Sequence, residues 1–448
     1  MNCNESLDFL FSQLPMFSRI GAAAYKPGLE TSLRLDDYFG NPHRKFKSIH
    51  VAGTNGKGST SHSIASVLQA AGYKTGLYTS PHLADFRERM RINGRMIPEK
   101  KVVDFVERWQ KCGYDGHPSF FELTMMMAFD WFASENVDYA VIEVGMGGRL
   151  DSTNIISPIA AIITNISFDH TQFLGTTLPA IASEKAGIIK GGLPVVIGHA
   201  EDDVREVFEK KGAEVGADVV FAEDAPLLAV ATPTDEFTFR CSSPLTEDFT
   251  FPMAGEYQRE NINTVLHGIA ALRRAGVAIS SEAIKQGLEN VVESTGFAGR
   301  WMIASRDPLT ICDTGHNEAG LSYTMPQLES LLKKHREVEP SARLRIVIGF
   351  VNDKDVAHIV NLFPRDAQYY VTQASVPRAM DSAEVLAYLN GEALDCRVIE
   401  GGVAEAYAAA KSDARSAEGS PEDIIFVGGS TFVVADFLAS RGKNDSPD

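Results

Sequence analysis

A glycine-rich segment carries the residue types that bind a phosphate chain. It reads Ala52-Gly-Thr-Asn-Gly-Lys-Gly-Ser59. Its glycines let backbone N–H groups wrap around phosphate oxygens. Lys57 can reach terminal phosphates, and the Ser59 hydroxyl can ligate Mg²⁺. The spacing departs from the pattern G-x-x-x-x-G-K-[ST], because Val51 stands at the first glycine position and Gly58 separates the lysine from the serine. The segment nevertheless predicts a nucleotide-phosphate site.

The elements around this segment are those that a phosphate loop needs. Residues 48–52 form a short apolar run typical of a buried strand, and residues 61–71 have helical periodicity. The N-terminus of such a helix adds positive potential at the loop. Apolar strands and amphipathic helices go on alternating along the chain. This alternation predicts an α/β fold with a mostly parallel sheet covered on both faces.

The pattern of predicted elements changes part-way along the chain. Short β-like pieces between Pro226 and Pro252 predict a small antiparallel insert, and the turn-rich segment 293–299 is the candidate linker. We therefore expect an N-terminal P-loop ATPase domain over residues 1–295, which includes the β insert. A smaller C-terminal Rossmann-like α/β domain is expected over residues 296–448.

Composition and charge argue against several functional classes. The chain has 448 residues, with 42 Lys and Arg against 59 Asp and Glu, which gives a formal net charge of −17. Such an acidic chain is a poor general binder of nucleic acid or of an anionic membrane. No stretch reaches the ~18 apolar residues of a membrane helix, and the N-terminal residues do not resemble a signal peptide. The five cysteines form no CxxC pair, which favours a reducing, cytoplasmic location over a disulfide framework or a zinc site.

Further motifs follow the phosphate loop. They read Tyr78-Thr-Ser-Pro-His-Leu83, Phe86-Arg-Glu-Arg-Met-Arg-Ile-Asn-Gly94, Glu143-Val-Gly-Met-Gly-Gly-Arg-Leu-Asp-Ser-Thr-Asn154, Asp169-His170, Glu184-Lys-Ala-Gly-Ile-Ile-Lys190 and Asp313-Thr-Gly-His-Asn317. In this order they closely resemble folylpolyglutamate synthase and its bifunctional form with dihydrofolate synthase activity, members of the Mur ligase superfamily. The chain departs from the family pattern at Ala52, Tyr257 and Glu318.

The resemblance implies an ATP-dependent ligase. A carboxylate does not accept an amine near neutral pH, because oxide would have to leave. In the family, ATP first phosphorylates the carboxylate, and the amine of L-glutamate then displaces phosphate. The implied acceptors are a reduced folate and dihydropteroate, and the sequence leaves open whether both are used. The implied cofactors are ATP and two Mg²⁺ ions, and the implied state is a monomer that binds small-molecule substrates.

The resemblance also implies roles for individual residues. Implied ATP contacts are Gly53, Thr54, Asn55, Gly56, Lys57, Gly58, Ser59, Thr60, Asn261, Arg300 and Asp313. Implied Mg²⁺ ligands are Ser59, Glu143, His170 and Lys185, and catalytic roles fall on Lys57, His170 and Lys185. Implied substrate contacts are Thr79, Ser80, Pro81, His82, Phe121, Glu122, Asp151 and His316. In related enzymes the lysine matching Lys185 is carbamylated by CO₂, so a carbamate is implied there.

Several of these residues also have simpler interpretations. Lys185 alone reads as a solvated helix lysine, Asn261 as a helix cap and Phe121 as ordinary core packing. Glu143 ends an apolar strand, at the sheet edge where ligands bind in open α/β folds. The alternating arginines Arg87, Arg89 and Arg91 would share one face of a strand, which could attract an anionic glutamate tail or simply be solvated.

Two other functions stay open. A different Mur-type ligase, acting on a UDP-muramoyl precursor, would be expected to have a UDP-binding domain ahead of the loop, but only about 50 residues precede it. A P-loop kinase or a nucleotide-switched binding protein would not need a second domain carrying Arg300 and Asp313.

Overall fold

The strand that leads into the phosphate loop lies inside the larger sheet of the computed structural model, which describes residues 1–15, 28–416 and 419–441. Contacts divide the described residues into two units. The first comprises those of Met1–Thr232, Arg240–Pro252 and Gln258–Phe297, and the second comprises Pro233–Phe239, Met253–Tyr257 and the chain from Ala298 onward. The expected domain division at 295/296 stays a prediction. Two short earlier segments group with the C-terminal part of the chain.

The first unit is built on a mixed sheet. Its strands are β1 (Lys47–Ala52), β2 (Thr75–Tyr78), β3 (Met90–Ile92), β4 (Arg95–Met96), β5 (Tyr139–Glu143), β6 (Ala160–Ile163), β7 (Pro194–Ile197) and β8 (Asp218–Phe221). Within the described residues the sheet has eight strands in the order β4-β3-β2-β5-β1-β6-β7-β8. The pairs from β2 to β8 are parallel, whereas β3 and β4 add antiparallel pairs at one edge. The predicted α/β class with a mostly parallel sheet is confirmed.

Helices surround this sheet. They are α1 (Cys3–Gln13), α2 (Glu30–Tyr38), α3 (Lys57–Ala70), α4 (Glu99–Lys111), α5 (Phe120–Ser134), α6 (Thr171–Leu174), α7 (Leu178–Ala186), α8 (Asp202–Val215), α9 (Gln258–Arg274), α10 (Ser281–Glu289) and α11 (Val291–Thr295). The Met-rich helix α5 is buried along most of its length and packs in the core against β2 and β5. The expected linker 293–299 begins inside α11, which ends at Gly296 in a left-handed conformation (φ 64°).

The predicted β insert is present as a small separate sheet. Its strands are β9 (Val230–Pro233), β10 (Thr238–Ser243) and β11 (Thr246–Pro252), in the order β11-β10-β9.

The second unit has its own sheet. Its strands are β12 (Met302–Arg306), β13 (Leu309–Cys312), β14 (Leu344–Ile348), β15 (Ala367–Val371), β16 (Asp395–Val398) and β17 (Ile424–Gly428). In the part of the chain that is described, the strand order is β12-β13-β17-β14-β15-β16, and only the β12–β13 pair is antiparallel. The helices are α12 (Glu318–Val338), α13 (Val356–Ile359), α14 (Ser382–Gly391), α15 (Val403–Ala414) and α16 (Thr431–Arg441). This arrangement confirms the second α/β sheet.

Two sequence features have simple structural counterparts. All five cysteines lie in described residues and are free thiols. Among the described helices, none combines the length and apolar character that crossing a bilayer requires.

Candidate active site

The phosphate loop joins β1 to α3, as its sequence predicts. β1 ends at Ala52, and α3 begins at Lys57 behind Gly56, which has a φ of 81°. A Cβ at Gly53 would lie 1.8 Å from Thr164 Oγ1, and one at Gly56 would lie 2.1 Å from Asn261 Oδ1. Glycine is therefore required at both positions, and Asn261 packs directly on the loop.

A neighbouring segment, which the sequence analysis did not single out, holds the loop in shape. It follows β6. The Thr164 hydroxyl donates to the Asn55 carbonyl, and the Asn165 side-chain oxygen accepts from the Asn55 N–H at 2.9 Å. The Thr54 hydroxyl donates to the Ser167 carbonyl at 3.1 Å. A signal was available, because parallel strands that pair, as β1 and β6 do, end at the same sheet edge.

Replacing Gly56 with alanine should destabilise the loop by about 1–3 kcal/mol, because the new Cβ meets both a positive φ and the Asn261 side chain. The measurement is the thermal unfolding midpoint together with the affinity for an ATP analogue. Gly58→Ala is the matched control, since its Cβ would only touch the Phe297 ring at an ordinary 3.6 Å and alanine favours helix. Equal effects of the two variants would contradict the conformational argument.

Two lysines converge on one carbonyl of the loop. Lys57 Nζ donates to the carbonyls of Gly53 and Thr54, both at 2.9 Å. Lys185 Nζ, from α7, donates to the same Gly53 carbonyl at 2.9 Å. The family resemblance implies both lysines at the phosphate site, and both lie at the loop.

The electrostatics of Lys185 are unusual for a lysine. Its side chain is only 3% exposed. Burial, reinforced by the charge of Lys57, lowers the pKa of Lys185 to about 7, although Asp169 and Asp151 act in the opposite direction. The neutral form of the Lys185 amine is therefore populated near neutral pH. A neutral amine is a nucleophile, whereas an ammonium is not.

Oxygen ligands suited to a hard cation lie at the same sheet edge. Ser59 is 2% exposed, and its hydroxyl has no hydrogen-bond partner within the described ranges. Glu143 ends β5 and pairs in register with Val51 of β1. One Glu143 oxygen accepts from the Ser80 N–H at 3.2 Å. A buried hydroxyl without a partner and a carboxylate beside the loop fit Mg²⁺.

His170 follows β6 in a left-handed conformation (φ 50°), with Nε2 4.0 Å from an Asp169 oxygen. Asp169 is thus a charged neighbour of both His170 and Lys185. No group of three or more His, Cys, Asp or Glu side chains forms a ready metal site in the ranges that the structure describes. Mg²⁺ commonly takes most of its ligands from phosphate oxygens and water, with one or two from protein carboxylates.

The expected substrate contacts around Thr79–His82 and Phe121 lie beside this edge. His82 Nδ1 accepts from Arg89 Nε at 2.8 Å. Burial, helped by Arg89, lowers the pKa of His82 to about 3, so the imidazole is neutral. The Phe121 ring packs against the glycine turn so closely that a Cβ at Gly145 would lie 2.6 Å from it.

The Glu122 side chain caps the N-terminus of a helix. Both it and Ser119 take part in a capping box at the N-terminus of α5, where Glu122 Oε2 accepts from the Ser119 N–H at 2.7 Å. Its other oxygen accepts from the Ser32 hydroxyl at 3.1 Å. Because both oxygens are engaged, we leave Glu122 out of the proposed site.

Asp151 organises the glycine turn. One of its oxygens accepts from the Met146 N–H at 2.9 Å, and the other accepts from the Thr153 N–H at 3.0 Å. The Thr153 hydroxyl also lies 2.9 Å from His50 Nε2. Burial raises the pKa of Asp151. The contact expected between Asp151 and substrate stays a prediction.

The shared arginine face expected at residues 87–91 is wrong. Arg87 and Arg89 lie in a 3₁₀ turn, Phe86–Arg89, and only Arg91 lies in β3. A capping box of Asp85 and Glu88 forms this turn, so the strand alternation begins later. The three side chains consequently have different surroundings.

Three expected residues belong to the second unit. The Asp313 carboxylate accepts from the N–H groups of Trp301 and Gly315, both at 2.7 Å, and from the Tyr257 hydroxyl. Arg300 donates to the Gly299 carbonyl at 3.0 Å. His316 Nδ1 lies 2.8 Å from the Thr314 carbonyl oxygen. These contacts fix the loop after β13, and the nucleotide and substrate roles of the three residues stay predictions.

Comparison with known proteins identifies the family. Residues 51–267 match the Mur ligase middle domain, and residues 299–431 match the Mur ligase glutamate ligase domain. A dihydrofolate synthase/folylpolyglutamate synthase of Bacillus subtilis is 33% identical over 347 residues, which cover 75% of this chain and 78% of the relative. The chain belongs to the folylpolyglutamate synthase and dihydrofolate synthase family. The resemblance stated from the motifs is confirmed.

Solved structures of the family share the fold along the chain. Mycobacterium tuberculosis folylpolyglutamate synthase complexed with ADP has a TM-score of 0.85 at 28% identity, covering 100% of this chain and 99% of that one. A bifunctional folylpolyglutamate synthase/dihydrofolate synthase with Mn, AMPPNP and L-glutamate bound has a TM-score of 0.79 at 27% identity, covering 99% and 98%.

A relative from Haloferax volcanii is longer. It is a probable bifunctional folylpolyglutamate synthase/dihydropteroate synthase, 33% identical over 97% of this chain. The chain spans about half of that relative's length, at 50%.

Proposed function

We propose that this chain is an ATP-dependent ligase that joins L-glutamate to a pterin-linked carboxylic acid. The observation that carries the proposal is the convergence of Lys57 and Lys185 on the Gly53 carbonyl, inside a glycine loop that also holds the unpartnered Ser59 hydroxyl. The cofactors are ATP and Mg²⁺. Relatives that carry both synthase names support two acceptors, a reduced folate and dihydropteroate.

The reaction has two displacements. An oxygen of the acceptor carboxylate attacks the γ-phosphorus of ATP, and ADP leaves. The amine of L-glutamate then attacks the acyl carbon, the amide forms, and inorganic phosphate leaves with the carboxylate oxygen. Both steps need neutralised charge and alignment more than covalent help from the protein.

The residues of the chain divide this work. Phosphate oxygens are stronger acceptors than backbone carbonyls, so Lys57 exchanges its loop carbonyls for the terminal phosphates. The loop N–H groups and the N-terminus of α3 align the phosphate chain. Ser59 and Glu143 are the proposed Mg²⁺ ligands, with His170 and Lys185 at a second ion. Bound there, Mg²⁺ would supply charge neutralisation at the phosphates.

Lys185 is the proposed carbamate. Its neutral amine adds to CO₂: the N–C bond forms as one C=O π bond opens, one proton leaves to solvent, and the neutral amine becomes an anionic carbamate. Its low exposure and its lowered pKa, about 7, support this chemistry. An anion there removes the repulsion from Lys57 and adds an oxygen ligand for a cation.

The decisive experiment offers purified protein ATP and L-glutamate, with dihydropteroate or tetrahydrofolate in separate reactions, and reads the products by mass. Each acceptor that is used should gain one glutamyl residue and release one phosphate. Use of both acceptors establishes the bifunctional form. Phosphate release that needs neither acceptor nor glutamate would overturn the ligase and favour an NTPase.

The remaining proposals concern the setting. We propose that the protein is a monomer that acts on small molecules. We also propose that it acts in the cytoplasm, where cysteines stay reduced, and its five free thiols support this location. Sedimentation at micromolar protein would test the monomer.

A further inference from the structure

Arg89 is a buried cation beside the expected substrate contacts. It is 7% exposed and ends the 3₁₀ turn that precedes β3. Its Nε donates to His82 Nδ1 at 2.8 Å, and its guanidinium carbon lies 5.4 Å from the centre of the Phe120 ring. The side chain is therefore held in place by an imidazole and an aromatic ring.

No acid within the described ranges pairs with Arg89. Among the described residues no carboxylate forms an ion pair with it, and its two terminal nitrogens have no hydrogen-bond acceptor. Glu143 and Glu88 act on it electrostatically from farther away. His82 is neutral and contributes only an acceptor. The protein thus positions the guanidinium without neutralising it.

Another buried arginine shows how the same chain treats a structural guanidinium. Arg345, 2% exposed, donates to Asp423 through Nε at 3.0 Å and Nη2 at 2.8 Å, and to the Tyr370 hydroxyl at 2.9 Å. Its donors and its charge are both satisfied. Arg89 has similar burial but lacks these partners.

A buried guanidinium stays protonated and is costly to bury without a counter-ion. A neutral carbonyl would accept hydrogen bonds from the guanidinium but would leave its charge uncompensated. A carboxylate would accept two parallel N–H hydrogen bonds and also compensate the charge. An anion is therefore the partner that would satisfy both the hydrogen bonds and the charge.

We propose that Arg89 binds the carboxylate of the pterin-linked acid, an inference that rests on the proposed function and names a specificity-determining residue for it. Location favours this acid over free L-glutamate. The partners of Arg89 are His82, in the expected substrate segment, and Phe120, which stacks on Phe11 at 5.5 Å and lies 6.0 Å from Phe86. These contacts place Arg89 next to the segment that is expected to contact the acid.

The test compares binding of 7,8-dihydropteroate with binding of its carboxamide, by calorimetry without ATP so that no turnover occurs. The wild-type protein should bind the acid at least tenfold more tightly. Arg89→Gln should weaken binding of the acid about 10- to 100-fold and barely change binding of the carboxamide. The KM for L-glutamate should stay within about twofold of the wild-type value.

Arg87→Gln is the matched control, because Arg87 already pairs with Asp85 at 2.7 Å and Glu99 at 3.4 Å. It should retain the preference for the acid. Equal weakening of acid and carboxamide by Arg89→Gln would overturn the proposal in favour of packing, and so would a wild-type protein that does not distinguish the two ligands.

Two further measurements keep the outcomes separate. Arg89→Lys keeps the positive charge but loses the paired N–H donors of the guanidinium. It should therefore retain part of the preference for the acid, and it provides a test if Arg89→Gln folds poorly. The wild-type comparison of the two ligands needs no variant. A wild-type protein that shows no preference for the acid but keeps its ligase activity would overturn this inference alone, whereas absence of any glutamyl product would overturn the proposed function.

Discussion

Replacing Lys57 with alanine should lower the rate of acceptor-dependent phosphate release on the order of 10³-fold while leaving the protein folded. The ammonium lies at the loop, where its hydrogen bonds go to the carbonyls of Gly53 and Thr54 rather than into the core. The variant therefore loses the cation that neutralises the transferred phosphoryl group, but it loses little packing. The measurement is kcat together with the thermal unfolding midpoint.

Lys100→Ala is the control for removal of a lysine. Lys100 is 84% exposed, and its one ion pair among the described residues is with Asp104, one helical turn away at 2.9 Å. Such surface pairs contribute little, so both kcat and the midpoint should stay near the wild-type values. A near-normal rate in Lys57→Ala would show that the phosphate role is wrong.

Lys185→Met should reduce kcat on the order of 10²-fold or more, and the activity of the wild-type protein should depend on dissolved CO₂. The buried amine can form a carbamate only when it is neutral. Methionine cannot form one, although it keeps most of the side-chain volume. Activity should fall when CO₂ is removed and return when bicarbonate is added.

The pH dependence has a defined sign. With a pKa of about 7, most Lys185 is protonated below that pH and neutral above it. At equal concentrations of dissolved CO₂, reactivation should therefore be on the order of tenfold faster at pH 8 than at pH 6, because the neutral fraction of the amine is larger at the higher pH. A faster reactivation at pH 6 would contradict the lysine assignment.

Carbon-13 NMR with labelled bicarbonate provides a direct reading. A carbamate carbon should appear in the wild-type protein and be missing from Lys185→Met. Lys190→Met is the comparison variant, because burial lowers the pKa of Lys190 too, yet its Nζ bonds to the carbonyls of Asn154 and Ile156. The signal should persist in that variant. Activity that ignores CO₂, with no labelled carbon bound, would refute the carbamate.

Local sequence patterns predicted the parts of the fold that depend on neighbours in the chain. The strand–loop–helix unit around Lys57 follows from an apolar run, glycines and helical periodicity within 24 residues (48–71). Glu143 was also placed at a strand end from sequence, because an acid that follows an apolar run marks where a buried strand stops.

The features that local patterns did not predict depend on distant contacts or on competing local signals. Burial of Lys185 comes from the docking of α7 on the loop, which no periodicity within nine residues of helix reveals. Ser119 and Glu122 have capping-box spacing, so the sequence did carry the signal for a helix end. The turn at Arg87 and Arg89 was missed for the same reason, since the Asp85–Glu88 box outweighs the alternation.

The interleaved order of the two units has a consequence for synthesis on the ribosome. Pro233–Phe239 and Met253–Tyr257 emerge early, but they group with a unit whose remaining residues begin at Ala298. In the folded protein the Glu236 carbonyl accepts a hydrogen bond from the Trp301 indole N–H at 3.0 Å, and the Ala254 carbonyl accepts one from the Gln327 side chain at 2.6 Å. Both donors are synthesised after their acceptors. A nascent chain therefore exposes these two segments until the C-terminal strands are made. A fragment that ends at residue 295 lacks the partners of these two segments, which would stay exposed. We expect such a fragment to aggregate more readily than the whole chain.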